Sequence, residues 1–338
     1  MFTDPRSTTV RPTSPLSGTH VVLGGGGAAG RALVRELLTR GADVRVVSPR
    51  EPRALPAGAH WTPGDAREAG DVARMSRNAR VVYMAAQPEY TRWKTDFPPM
   101  LDAVIEGVAR SQARLVFVDN LYTYGPVTGP LSETSPEHPT SRKGQVRLRM
   151  ARTLLRTHEE GRVRVVIGRA SDYFGPLVIG SLAGKAFFDA VLAGKRPRWF
   201  GRHDVPHALT FVDDFARALV TLGEHDEAYG RAWHVPTDEP LTGRAFAALV
   251  AREAGVADRA PATLPLPAVR TLGLFVPILR ELADVAYQAT GPWEVDGTRF
   301  AAAFGFRPTP NAEAVRRTVE WVRTQMEQTA SAPGVTAH

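Results

Sequence analysis

An α/β fold built on a doubly wound parallel sheet, with a smaller, mainly helical C-terminal lobe, is predicted by three observations. The first is that the apolar run His20-Val21-Val22-Leu23 enters four glycines, Gly24 to Gly27, and that a helical apolar pattern (Leu33, Val34, Leu37, Leu38) begins as the glycines stop. The second is alternation. As far as about residue 176, short β-branched runs take turns with amphipathic stretches, the pattern of a parallel sheet with helices on both faces. The third is that this alternation breaks down from about 177, where helical stretches follow one another across loops rich in Pro and Gly.

Strand, glycine turn and helix in that order form a Rossmann-type dinucleotide-binding unit. In Gly24-x-x-Gly27-x-x-Gly30, Gly24 lets the chain turn off the strand, Gly27 lets a pyrophosphate approach the backbone, and Gly30 lets the helix pack on the strand. The phosphates then face the helix N-terminus at Ala28 and Ala29. The second strand, 43–47, ends in Ser48-Pro49-Arg50. An acidic residue there accepts from a ribose 2′-hydroxyl, whereas a basic one accommodates a 2′-phosphate. With no carboxylate available and with Ser48 and Arg50 in place, NADP is expected over NAD, with NAD the alternative and Arg53 an equally placed competitor of Arg50.

A short third strand, 60–62, leads to Gly64-Asp65 and a helix at 72–75. The fourth, 81–84, runs into Ala85-Ala86-Gln87-Pro88, whose small residues let a flat ring approach the backbone; Tyr90 and Trp93 beyond it wall a substrate pocket or cap the core. A helix over 99–110 is followed by the fifth strand, 115–118, which ends in Asp119-Asn120-Leu121-Tyr122-Thr123-Tyr124-Gly125-Pro126. In open parallel sheets the chemistry sits at such carboxyl ends. The next helix, 143–157, carries Lys143 and Arg147 one turn apart on one face. The sixth strand, 163–167, runs to Arg169-Ala170-Ser171-Asp172-Tyr173-Phe174-Gly175-Pro176. Helices are expected at 180–193, 214–222, 243–254, 267–289 and 312–326. The chain thus divides into a dinucleotide-binding domain, 18–176, and a substrate lobe, 177–328, some segments of which return to the sheet, between tails at 1–17 and 329–338.

Composition bounds the function. With 43% hydrophobic and 23% charged residues among 338, disorder and fibres are excluded. No apolar run reaches transmembrane length, and the polar, Pro-containing N-terminus lacks a signal-peptide core, so a cytoplasmic protein with no membrane partner is expected. The absence of cysteine removes disulfides, thiolate metal sites and a cysteine nucleophile, and no metal is expected. The net charge of +7 is spread mostly as arginine without aromatic interleaving, which suits anionic cofactors and predicts no nucleic-acid partner.

At this point the chain resembles the extended short-chain dehydrogenase/reductase superfamily, in its NAD-dependent epimerase/dehydratase branch. The resemblance covers about 20–325 and rests on the ordered set Gly24-x-x-Gly27-x-x-Gly30, Gly64-Asp65, Ala85-Ala86, Tyr124-Gly125, Arg169 through Gly175-Pro176, Phe211-Val212-Asp213-Asp214 and Phe304-Gly305-Phe306-Arg307-Pro308-Thr309-Pro310. It implies that Asp65 contacts adenine. It also implies a hydroxyl residue shortly before the Tyr-Gly pair, and a Tyr-x-x-x-Lys pair in which the Tyr transfers the substrate proton and the Lys holds the nicotinamide ribose.

This chain departs from that pattern. Counting back from Tyr124 places Asn120 at the hydroxyl position, and the pair becomes Lys143-x-x-x-Arg147, an atypical member. Arg147 keeps the charge to hold a ribose, and the Asn120 amide keeps a donor. Lys143, whose reference pKa of about 10.4 lies near that of tyrosine, is the expected proton carrier, with Tyr124, Tyr122, Asp119 and Tyr173 in reserve. Where sugar-nucleotide members resembled by this chain hold Asn and Arg near the substrate diphosphate, it holds Asp172 and His207, so a neutral or apolar small molecule is expected, bound by Gln87, Tyr90, Trp93, Tyr122, Asp172, Tyr173 and His207, with Trp199 a further aromatic. The sequence reading is an NAD(P)(H)-dependent oxidoreductase acting on a carbonyl or hydroxyl; the alternatives are a non-redox cyclase, lyase or isomerase and a non-catalytic dinucleotide sensor. A homodimer is expected through apolar residues of the helices at 99–110 and 143–157.

Overall fold

The computed structural model describes residues 16–52 and 55–331. Of the features expected from sequence, residues 1–15 and 332–338 of the tails and Arg53 lie outside the described residues. The sheet has seven parallel strands: β1 (Thr19–Leu23), β2 (Asp43–Ser48), β3 (Ala59–Pro63), β4 (Ala79–Met84), β5 (Arg114–Asn120), β6 (Val165–Ala170) and an edge strand, Ala232–His234. Across the sheet the order is edge strand, β6, β5, β4, β1, β2, β3. Strand order therefore reverses between β1 and β4, which opens a crevice above their carboxyl ends. There Leu23 pairs with Met84, so Gly24 and Ala85 leave the sheet side by side.

Eleven helices follow among the described residues: α1 (Ala28–Thr39), α2 (Ala69–Met75), α3 (Trp93–Ser111), α4 (Arg142–Glu159), α5 (Lys185–Leu192), α6 (Val212–Glu224), α7 (Gly243–Ala254), α8 (Leu266–Leu272), α9 (Pro277–Asp284), α10 (Thr298–Phe304) and α11 (Asn311–Ser331). Successive strand residues point to opposite faces. Val22, Val46, Val81 and Val166 accordingly face Leu33 and Leu37 of α1 and Phe215 and Leu219 of α6. Val21, Val82, Leu115 and Ile167 face Val72, Phe97, Val104, Val146 and Leu154 of α2, α3 and α4. A separate core of Phe174, Phe187, Phe188, Trp199, Phe246, Val250 and Val319 joins α5, α7 and α11 into the C-terminal lobe.

Three expectations are corrected. The helix expected at 99–110 begins at Trp93 and contains Pro98 and Pro99. Two prolines remove two ladder bonds, yet Trp93 and Phe97 are buried edge to face, 5.3 Å between ring centroids, and hold the first turns in place. The stretch 267–289 is not one helix: Gly273 closes α8, Pro277 starts α9, and a 3-10 turn at Ala286–Ala289 follows. Finally, the apolar residues assigned to a dimer face are used up inside the subunit. Met100, Leu101, Val104, Ile105, Val146, Met150 and Leu154 are buried against the sheet and one another, Leu155 is half-buried, and the exposed charges include Lys94, Asp102, Glu106 and Arg110 on α3 and Arg149, Arg152, Arg156 and Glu159 on α4.

Candidate active site

Two adjoining cavities run along the crevice at the switch point. The first, ≈ 520 Å³, lies over the ends of β2 and β3 and is lined by Gly24, Gly27, Ser48, Asp65, Arg67, Ala85, Ala86 and Gln87 among others. The second, ≈ 200 Å³, shares Gly27, Ala85, Ala86 and Gln87 with it and continues to Tyr90, Trp93, Asp119, Asn120, Tyr122, Arg147, Ser171, Asp172 and Tyr173. The glycine turn is built for close approach. A Cβ on Gly24 (φ +85°) would lie 2.5 Å from the Ala86 backbone, and one on Gly30 would lie 2.3 Å from the Gly24 carbonyl. At Gly27, by contrast, a Cβ would meet nothing nearer than 3.9 Å. The space above Gly27 and the free amides of α1, at Ala28 and Ala29, is open to an anion.

At the outer end, Ser48 lines the cavity and its hydroxyl donates to the Arg50 carbonyl at 2.7 Å; the exposed Arg50 side chain is not among the lining groups. Asp65 sits in the wall with both carboxylate oxygens taken by Arg67, whose hydrogen bonds hold its carboxyl below the ordinary carboxylate range.

At the inner end, Arg147 is the organising group. Its guanidinium lies 4.4 Å from the Trp93 ring centre and 4.7 Å from that of Phe97, donates to the Val118 carbonyl at 3.3 Å, and pairs with Asp119 Oδ1 at 3.3 Å. Burial pulls its pKa below the ordinary arginine value, yet arginine remains charged in proteins. Asp119 is paired across the sheet with Arg169, whose Nε donates to Oδ2 at 3.1 Å, so one buried carboxylate stands between two guanidiniums. Asn120 Oδ1 accepts from the Tyr122 amide at 3.1 Å and shapes the turn that carries Tyr122 into the cavity. The Tyr122 and Tyr90 hydroxyls meet at 3.2 Å, and burial raises both phenols above the ordinary tyrosine value.

Four sequence assignments change. Lys143 is neither in solvent nor in the cavity wall: its ammonium is buried on the face of the Tyr90 ring, 4.0 Å from the ring centre, in an ion pair with Glu281 of α9. Tyr124 points away from the cavity, because its hydroxyl accepts from Arg169 at 2.7 Å and meets His234 Nε2 at 2.7 Å; it belongs to the core, not to proton transfer. His207 is buried behind the wall and reaches the site only through Asp172, 3.0 Å away, while Trp199 packs on His207 and Phe187 in the lobe core. The structure brings together Gln87, Tyr90, Trp93, Asn120, Tyr122, Arg147, Asp172 and Tyr173. It adds Ser171, which lay inside a quoted motif without a role, and Phe97, Ser181 and Gln288, which no motif marked. Glu281 had no local signal either, lying 138 residues from its partner.

The cavity fits a polar ligand at its inner end. Arg147 Nε, Ser171 Oγ and Ser181 Oγ are buried along it with no hydrogen-bond partner. Buried polar atoms are seldom left unpaired, so these donors and acceptors are set for a bound molecule such as the ribose and carboxamide of a nicotinamide nucleotide. Among the described residues no group of three His, Asp or Glu could hold a metal ion, and no helix is long and apolar enough to cross a membrane.

The family model for the NAD dependent epimerase/dehydratase family matches residues 20–235, from β1 through the edge strand. The chain belongs to this family. A curated relative, dTDP-6-deoxy-L-talose 4-dehydrogenase (NAD(P)(+)) of Kitasatospora kifunensis, is 29% identical over 258 residues, 70% of this chain and 79% of that protein. Solved structures of the same fold include a UDP-glucose 4-epimerase from Thermotoga maritima (TM-score 0.76, 20% identity, 91% of this chain and 99% of that one). A double mutant of the dTDP-glucose 4,6-dehydratase DesIV from Streptomyces venezuelae with NAD bound is similar as well (TM-score 0.74, 20% identity, 91% and 98% covered). Family membership makes the protein an enzyme scaffold of the extended short-chain dehydrogenase/reductase type, and the sheet order and glycine turn agree with it.

Proposed function

We propose that the protein is a nicotinamide dinucleotide-dependent oxidoreductase that acts on a carbonyl or hydroxyl of a small molecule and prefers NADP to NAD. The observation that carries this reading is the continuous crevice from Ser48 and Asp65, over Gly27, to unpaired buried polar atoms at Arg147, Ser171 and Ser181. Gly27 and the α1 amides would hold the pyrophosphate, Asp65 the adenine, and Arg147 the nicotinamide ribose. The 2′-phosphate preference rests on Ser48 and Arg50 at the end of β2, where Ser48-Pro49-Arg50 holds no carboxylate for a ribose. Relatives are named for dTDP- and UDP-sugars. For this chain a smaller neutral substrate is favoured, because the inner cavity places the Asp172 carboxylate in its wall, where a diphosphate would be repelled.

The test is a titration of NADPH and NADH into wild type and Arg50→Ala, followed by assay of small aldehydes and ketones beside dTDP- and UDP-sugars. NADPH should bind more tightly, the variant should narrow the gap, and nicotinamide oxidation should match product formed. Equal affinities in wild type contradict the NADP preference. Turnover confined to nucleotide sugars contradicts the substrate class, and turnover with unchanged nicotinamide absorbance contradicts the redox reading.

A further inference from the structure

The family's proton-transfer tyrosine is missing, and the lysine in its place is tied to Glu281. Among the described residues that line the inner cavity, the hydroxyl protons belong to Tyr90, Tyr122, Tyr173, Ser171 and Ser181. Only Tyr90 and Tyr122 form a pair, at 3.2 Å, and a pair can pass a proton on. We infer that Tyr122 is the proton donor of this site, backed by Tyr90, and that the pair suits the enzyme to carbonyl reduction rather than alcohol oxidation.

The direction follows from the charges around the pair. A phenol gives up its proton readily only beside an unneutralised cation. The two cations near this pair each face a carboxylate: Arg147 shares Asp119 with Arg169, which pairs in turn with Glu137 at 3.0 Å, and Lys143 meets Glu281. Asp172 from the loop after β6 adds negative charge, and Tyr173 and Tyr287 add only neutral phenols. Burial raises the Tyr90 and Tyr122 pKa values further, so the pair stays protonated through the neutral range. A neutral phenol can donate to an alkoxide but is a poor base toward an alcohol.

The step balances on this reading, which rests on the oxidoreductase proposal. A reduced nicotinamide held in the crevice would supply a hydride to the carbonyl carbon. As that C–H bond forms, the carbonyl π pair moves to oxygen, which takes the Tyr122 proton; the Tyr122 O–H bond breaks and its electron pair stays on the phenolate. Tyr90 returns a proton to Tyr122 and recovers one from solvent.

The test joins a spectroscopic and a kinetic readout. In cofactor-free protein labelled with ¹³C at tyrosine Cζ, the Tyr122 resonance, assigned by its loss in Tyr122→Phe, should keep its protonated position beyond about pH 10, the ordinary tyrosine value. Tyr122→Phe should lower carbonyl reduction by roughly two to four orders of magnitude, the range of general acid catalysis, with NADPH affinity within about twofold. Tyr90→Phe should cost less, since it only refills the donor. In wild type, reduction should be flat from about pH 6 to 9 while oxidation climbs about tenfold per pH unit, as expected of a base with a raised pKa. Loss of the Tyr122 proton by about pH 8, or normal reduction by Tyr122→Phe, overturns the inference alone. Wild-type protein that binds no dinucleotide overturns the oxidoreductase reading and the inference with it.

Discussion

At the scale of single residues, the buried polar chain behind the site shows why some chemistry-bearing side chains do no chemistry. His234 donates from Nδ1 to the Leu131 carbonyl at 3.3 Å and takes the Tyr124 proton at Nε2, while Tyr124 accepts from Arg169; each group is satisfied by the next. Burial, with the nearby Arg169 charge, pulls the His234 pKa from 6.5 down to about 3. The folded pKa lies below the unfolded one, so the neutral imidazole contributes stability above about pH 6.5 that is lost as pH falls toward 3. His20, also lowered by burial, acts in the same direction. Denaturant titrations from pH 7 to 5 should show stability falling by up to about 1.4 kcal/mol per pH unit for each such histidine. His234→Gln, which keeps an acceptor for Tyr124, should lose one share of that slope; an unchanged slope would mean that His234 is not held neutral.

Among the elements, α9 carries the least expected feature, since Glu281 is its single buried residue and meets Lys143 of α4 beneath the Tyr90 ring. Arg142 strengthens the junction by donating its backbone N–H to Asp284 at 2.9 Å. The pair reads as a clasp that seats α9 beside the cavity. Removing one partner of a buried pair costs about 3–5 kcal/mol, whereas replacing both by apolar residues is often neutral. Glu281→Ala should therefore speed amide exchange over 277–289, and the double variant Lys143→Met with Glu281→Leu should recover wild-type melting and keep carbonyl reduction. A double variant that folds but loses two or more orders of magnitude in turnover would return the proton to Lys143. The sequence made β1, the glycine turn, α1 and the ends of β4, β5 and β6 readable, because local periodicity and backbone demands fix them. It could not show that Lys143 meets a carboxylate 138 residues away, nor that Tyr124 turns to Arg169 while Tyr122 enters the cavity, since two tyrosines two residues apart on one turn look alike until the chain is folded. The split of 267–289 was visible in Gly273 and Pro277, but the apolar run Leu272-Gly273-Leu274-Phe275-Val276 masked it. Helix α10 was hidden by its length, although the Asp296 carboxylate that accepts from the Thr298 amide at 2.9 Å was a readable start signal.

For the whole molecule, the exposed charges of α3 are mixed, Lys94, Asp102, Glu106 and Arg110 with Glu106 and Arg110 paired, whereas those of α4 are mainly basic, with Arg149, Arg152 and Arg156 beside Glu159. The expected homodimer across α3 and α4 should give twice the subunit mass by light scattering in low salt. A monomeric mass in low salt contradicts it. The whole account depends on the crevice being a dinucleotide site, and Gly27 tests that directly. Its backbone is ordinary extended chain (φ −78°, ψ 169°) and an added Cβ meets nothing nearer than 3.9 Å, so a methyl there is tolerated by the fold and obstructs only what lies against the turn. The decisive measurement is NADPH fluorescence titrated with wild type and with Gly27→Ala, alongside thermal melting of both. Saturable binding by wild type, weakened at least about tenfold in the variant at an unchanged melting temperature, is the predicted result; equal binding by the two proteins, or none by wild type, would contradict it.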